Sequence, residues 1–165
     1  MKIKAIKTKI FEEGENLAKF IILNIKKIPN KSILVITSKI VALSEERTVE
    51  IKNSYTREKI IKKESQFSMK TKYTWLTIKD GIVLASAGVD ESNANGKIIL
   101  LPKDSFKVAL ILHNILVKHF KIKDLGIIIS DSRLLPLRAG VVGIALGYYG
   151  FKGIRDYKGK KDLFG

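Results

Sequence analysis

The sequence predicts an α+β domain: a mixed sheet with hairpins and a few packed helices. Three observations carry this. Lys79-Asp80-Gly81 separates two β-rich runs, and Asp-Gly in that setting marks a hairpin. SILVIT (32–37) is a continuous apolar, β-branched run of the kind found in buried strands. Single helical patterns stand between such runs, and helices mixed with hairpins favour α+β over a doubly wound parallel sheet.

Taken in order, residues 2–8 alternate Lys with Ile and Ala, which suits a half-buried first strand. Over 15–28, Leu17, Phe20, Ile21, Ile25 and Ile28 follow helical spacing, and Pro29-Asn30 stops the helix. SILVIT then reads as a central strand and RTVEI (47–51) as a shorter one. A helix follows over 56–67, with Thr56 as N-cap and Glu58 in its first turn. KYTWLTI (72–78) and IVLAS (82–86) form the hairpin. Asp104 caps a helix whose Val108, Ile111, Leu112, Ile115, Leu116 and Phe120 make one apolar stripe. Residues 126–130 are a buried strand, and VVGIALGYYG (141–150) is a glycine-punctuated one.

At 165 residues the chain fits one domain with a real core. A 45% hydrophobic content and a mean hydropathy of +0.06 exclude a disordered chain. The net charge of +15 invites nucleic acid or an anionic membrane. The cations, however, are nearly all Lys, spread from Lys2 to Lys161; the arginines are Arg47, Arg57, Arg133, Arg138 and Arg155. A general Lys and Ile bias is what an AT-rich genome leaves, and specific phosphate readers favour the planar fork of Arg. A nucleic-acid partner is therefore not expected. Cysteine is absent, which excludes disulfides and Cys-based zinc sites. MKIKAIKTKI lacks an apolar signal region, and no apolar run reaches the ~18 residues of a membrane span. The expected location is the cytoplasm, with no membrane partner.

Two strand ends share one design. The strand over 82–86 runs into Ala87-Gly88-Val89-Asp90-Glu91-Ser92-Asn93, and the strand over 126–130 runs into Asp131-Ser132. Each puts an aspartate past an apolar strand with a second oxygen nearby. Hard cations such as Mg²⁺ take one or two carboxylates and fill the remaining positions with neutral oxygens, water or phosphate. Either aspartate alone reads first as a turn former, and Gly88 as the supplier of a positive φ. Thr37-Ser38-Lys39 ends SILVIT with a hydroxyl and an ammonium that suit a phosphate, although no P-loop pattern is present. If Leu134, Leu135 and Leu137 are buried, Arg138 needs a counter-charge, either a core carboxylate or an anionic ligand; it is the candidate catalytic cation. His113 and His119 lie six apart, outside the i, i+4 spacing of a zinc pair, and read as packing or surface residues.

The ordered set GENL (14–17), ILVITSKIVALSEER (33–47), AGVDESN (87–93), LLPKD (100–104), IISDS with Pro136, Arg138 and Gly140, IALG, and DYKGKKDLFG resembles the glutamate ligases that add γ-linked glutamate to the deazaflavin coenzyme F-420 precursor. The resemblance covers nearly the whole chain. It implies a nucleotide-dependent amide ligase: GTP, with ATP the alternative, phosphorylates a substrate carboxylate, and the amine of L-glutamate attacks the acyl phosphate. It implies Mg²⁺ or Mn²⁺ at Asp90, Asp131 and Ser132, the last standing where the family has Thr. It places Asn93, Ser38, Lys39 and the N-terminal Lys9, Ile10 and Phe11 at the nucleotide, and it implies a homodimer. The carboxylate acceptor is not specified. Leu43 stands where the family has Lys, and Leu134-Leu135 where it has Gly-Arg. Family members continue past the position of Gly165 into a segment that helps build the site, so 1–165 is expected to be a single ligase-like domain without that segment. The alternative is a catalytically inactive relative that binds nucleotide or serves assembly, with a basic nucleic-acid binder behind it.

Overall fold

The computed structural model describes residues 2–51, 53–92, 94–135 and 137–165. Its main sheet has the order β1-β7-β8, where β1 is Ser32–Thr37, β7 Leu125–Leu134 and β8 Val141–Tyr149. β1 runs parallel to β7, from Ser32 opposite Leu125 to Thr37 opposite Ser130. β8 returns antiparallel, and its register shifts by a β-bulge between Ile129 and Ser130. Helix α4 (Ser105–Phe120) packs on β7 and β8, and α1 (Leu17–Asn24) packs against α4 and α2 (Ser38–Ser44). Leu112 and Leu116 of α4, Phe20 and Ile21 of α1, Ile36, Val41, Ile127 and Ile129 close the core between them. β2 (Thr48–Glu50) pairs antiparallel with β6 (Lys97–Ile99). β3 (Phe67–Lys70), β4 (Trp75–Lys79) and β5 (Ile82–Ala85) form an antiparallel meander preceded by α3 (Ser54–Lys63). The α+β expectation holds.

The hairpin forms where Asp-Gly places it. Asp80 and Gly81 have φ of 53° and 73°, the left-handed pair of a two-residue turn. Asp104 caps α4 as expected, accepting the Lys107 N–H at 2.9 Å. His113 packs edge-on against Tyr149 and His119 against Phe120, in line with packing roles.

Several expectations are corrected. Residues 2–8 form no strand: they carry no regular structure and are exposed, because no sheet edge meets their alternating face. SILVIT lies at the sheet's edge instead of its centre; Ile33 and Val35 are 55% and 59% exposed, and β7 takes the central place. α1 is shorter than 15–28, because Asn24 turns its side-chain amide onto the Phe20 carbonyl and the chain leaves the helix at Ile25. α3 begins before Thr56: Asn53 is its cap and accepts the Thr56 N–H, while Phe67 belongs to a strand. The buried stripe of α4 is Ser105, Ala109, Leu112 and Leu116, so Ile111 and Ile115 stay partly in solvent. β7 does not stop at Ser130. β8 pairs with it through Leu134, which puts Asp131 inside the strand. Helix α2 and strands β3 and β6 are short elements without a distinct pattern.

After β5 the chain turns through Ser86, Ala87 and Gly88, all left-handed with φ of 49°, 55° and 72°. Gly88 is required twice over, because a Cβ there also stands 2.6 Å from Leu101 Cδ1. The strain at Ser86 and Ala87 costs about 1 kcal/mol or more each and must be held from outside the turn. Thr77 holds it. Its fully buried hydroxyl donates to the Leu84 carbonyl at 2.7 Å and accepts the Ala87 N–H at 2.8 Å. Thr77→Val keeps the shape and takes the acceptor away from the buried Ala87 N–H. We expect a loss of about 1–3 kcal/mol, read as a lower denaturant midpoint at unchanged slope; an unchanged midpoint removes this role.

Candidate functional site

The elements converge on one open cleft of about 630 Å³. Parallel pairing of β1 with β7 brings Thr37-Ser38-Lys39, at the end of β1, beside Ser130-Asp131. The turn at Ser86–Gly88 then carries the chain to Asp90, which is fixed by two backbone hydrogen bonds with Ile99 at 3.0 and 2.8 Å. Ser38, Lys39, Gly88, Asp90, Ser92, Ile99, Leu101 and Asp131 through Leu134 line the cleft. Residues more than ninety positions apart thus share one site.

Inside it the polar groups are paired in a definite order. The buried Ser38 hydroxyl donates to Asp131 Oδ1 at 2.9 Å. Lys39 Nζ lies 2.7 Å from Asp90 Oδ2 and donates to the Ser92 carbonyl and hydroxyl at 2.8 and 2.9 Å. Asp90 Oδ1 accepts the Ser92 N–H at 2.8 Å. Burial works to raise the Asp90 pKa, but the Lys39 ammonium and the Ser92 bonds outweigh it and hold the carboxyl below its ordinary value. Asp90 is thus already neutralised by a cation of the chain itself, Lys39.

The donors here are hard oxygens, two carboxylates with nearby hydroxyls, and no group of three or more acidic or histidine side chains gathers among the described residues. Such a set fits a divalent cation that keeps most of its shell as water or phosphate oxygen, provided Lys39 releases Asp90. Ser132 is the weaker part of the set. It is exposed, and strand alternation points it away from the face that carries Asp131 and Arg133. The hydroxyl that actually meets Asp131 is that of Ser38.

Other expected residues lie elsewhere. Lys9 is ion-paired with Glu15 at 2.6 Å, Ile10 is exposed, and Phe11 is buried edge-on against Phe20 with ring centres 4.9 Å apart. None of the three lines the cleft. Asn93 and Pro136 lie outside the described residues. Leu134, Leu135 and Leu137 are all exposed, which corrects the premise about Arg138: it is an exposed cation and needs no buried counter-charge. Leu43 packs, half-buried, against the core.

Arg133 escaped the sequence reading. It lines the cleft and is only 6% exposed, and its Nε and Nη1 are buried without a hydrogen-bond partner among the described residues. Asp131 Oδ2 is 3.9 Å from its Nε. Burial lowers its pKa, against the opposing pull of Asp131 and Asp80. The available signal was its i, i+2 spacing from Asp131, which has meaning only if the strand continues past Ser130.

The family model described as F420-0:Gamma-glutamyl ligase matches residues 5–165. The Coenzyme F420:L-glutamate ligase of Methanosarcina mazei is 28% identical over 185 aligned residues, covering the whole chain and 72% of that protein. That of Archaeoglobus fulgidus is 28% identical, covering 94% of the chain and 69% of the relative. That of Methanopyrus kandleri is 43% identical over 89 residues, 53% of the chain; this match spans 35%, about a third, of the relative's own length. A family match over nearly the whole chain settles the matter of descent: the chain belongs to the F420-0:gamma-glutamyl ligase family.

Proposed function

We propose that this protein is a nucleotide- and divalent-metal-dependent γ-glutamyl ligase. The observation that carries the reading is the convergence of Ser38, Lys39, Asp90 and Asp131 on one cleft, in a chain whose relatives are named Coenzyme F420:L-glutamate ligase. In the proposed reaction the γ-phosphoryl of GTP, or of ATP, passes to a carboxylate of the acceptor. The amine of L-glutamate then attacks the acyl carbon, the amide bond forms and inorganic phosphate leaves. Asp90 and Asp131 would hold Mg²⁺ or Mn²⁺, which when bound supplies positive charge against the phosphate oxygens. Ser38 fixes the orientation of Asp131 through its hydroxyl. Lys39, once free of Asp90, offers a mobile point charge for phosphate. The test is incubation with GTP, Mg²⁺, L-glutamate and candidate carboxylate acceptors, followed by mass spectrometry. The expected result is an acceptor heavier by one glutamyl unit with matching GDP and phosphate; GTP left intact with every acceptor counts against turnover.

A second reading, nucleotide binding without ligation, is favoured by Leu43, an apolar side chain packed on the core where the family resemblance places a lysine. Saturable binding with no glutamyl product distinguishes it. The homodimer implied by the family is also proposed. Ile33 and Val35, exposed on edge strand β1, are the apolar surface a second copy would cover. Light scattering is expected to give twice the chain mass, and the mass of one chain contradicts it.

A further inference from the structure

Arg133 presents a physical difficulty that nothing among the described residues resolves. A guanidinium stays charged at neutral pH and carries five N–H donors. Removing it from water without partners costs several kcal/mol. Here the side chain is 5% exposed, Nε and Nη1 meet no acceptor among the described residues, and the carboxylate of Asp131 stands 3.9 Å off with its other oxygen bonded to Ser38. The strand fixes where the cation sits: Arg133 and Asp131 are two apart on the same face of β7, both on the cleft wall. Arg133 lines an open cleft, so room and unspent donors occur together.

We infer that Arg133 is the anion receptor of this cleft, its guanidinium taking an oxyanion, carboxylate or phosphate, from a bound ligand. Arg is suited to the task because its planar donors match the paired oxygens of either group. The arrangement also separates labour within the wall. Asp131 presents negative charge on one side of the ligand position, and Arg133, one pleat further along, presents positive charge. Lys39, by contrast, is already committed to Asp90 and Ser92. The inference shares with the proposed function the premise that this cleft binds a ligand, but it does not depend on ligation taking place.

The test is titration calorimetry of the full chain with L-glutamate and, separately, with inorganic phosphate, at constant ionic strength and without nucleotide or metal. Arg155→Met, an exposed arginine outside the cleft, controls for net charge. The expected result is saturable one-to-one binding of at least one anion by the native protein and by Arg155→Met, weakened tenfold or more in Arg133→Met. Binding of glutamate alone assigns a carboxylate as the source, and binding of phosphate alone assigns a phosphoryl group. Native affinity retained by Arg133→Met overturns the inference, as does failure of both anions to saturate the native protein. If Arg133→Met does not melt cooperatively, Arg133→Lys keeps the charge without the fork; unchanged affinity in that variant also overturns it. Since neither GTP nor an acceptor is present, a failed ligation assay leaves this result standing.

Discussion

Asp131→Asn is expected to lower ligation by at least about 100-fold, the scale at which removal of one electrostatic group at a transferring centre is felt, and to remove metal-dependent nucleotide binding. The substitution is nearly isosteric, and an asparagine oxygen still accepts the Ser38 hydroxyl that now bonds Asp131 at 2.9 Å. What disappears is the negative charge available to a divalent cation. Asp90→Asn is the companion variant. It is expected to weaken binding less, about 10- to 100-fold, because it also frees Lys39 from its 2.7 Å ion pair and leaves that ammonium for phosphate. Kinetics and binding on both variants, with cooperative melting as the control for folding, check the order. Equal activity of Asp131→Asn and the native protein contradicts a role for Asp131 in the chemistry.

The largest effect on stability is expected at Glu64, which takes no part in the cleft. It accepts from Arg47 Nη2 at 2.7 Å and from Lys79, tying α3 to the chain before β2 and to the end of β4. Arg47 in turn donates through Nε to the Leu101 carbonyl at 3.1 Å, next to the side chain that packs against Gly88. Side-chain exposures are 13% for Glu64, 19% for Arg47 and 13% for Lys79, so solvent screens the group little. Glu64→Gln leaves two cations facing a neutral amide and is expected to cost about 2–4 kcal/mol. Burial acts to raise the Glu64 pKa, but the bonds from Lys79 and Arg47 outweigh it and hold the carboxyl below its usual 4.5. A depressed pKa contributes stability that is fully present above the unfolded value and is lost as pH falls through the folded one. The native protein should therefore lose stability below about pH 4.5 more steeply than Glu64→Gln, as read by urea unfolding at a series of pH values. Parallel curves contradict the assignment.

The legible parts of this fold were those written in local chemistry. Asp80-Gly81 specified a turn that needs two left-handed residues, and Asp104 specified a helix start, and both stand where the sequence puts them. SILVIT was legible as a strand but not as an edge, because position in a sheet depends on which strand finds partners on both sides, and β7, pairing with both β1 and β8, runs four residues past its expected end at Ser130. The alternation in residues 2–8 gave a strand signal with no sheet to join. At the site, Asp90, Asp131, Ser38 and Lys39 were legible as oxygen and ammonium groups, and the cleft gathers all four, although Asp131 lies inside β7 and not at its end. That Lys39 neutralises Asp90 was not, since the contact spans 51 positions and depends on the left-handed turn at Ser86–Gly88. Arg133 was hidden for the same reason as the true end of β7. Its burial follows from a strand that continues through polar residues, where local pattern reads a stop.

The central claim, that the cleft holding Asp90 and Asp131 is a metal-dependent nucleotide site, is met most directly by titration calorimetry of the folded protein with GTP in the presence and absence of Mg²⁺. Saturable binding with Mg²⁺ that falls sharply without it, and that Asp131→Asn loses, is the predicted result. Binding indifferent to Mg²⁺ and to Asp131, or no binding of GTP or ATP at all, contradicts it.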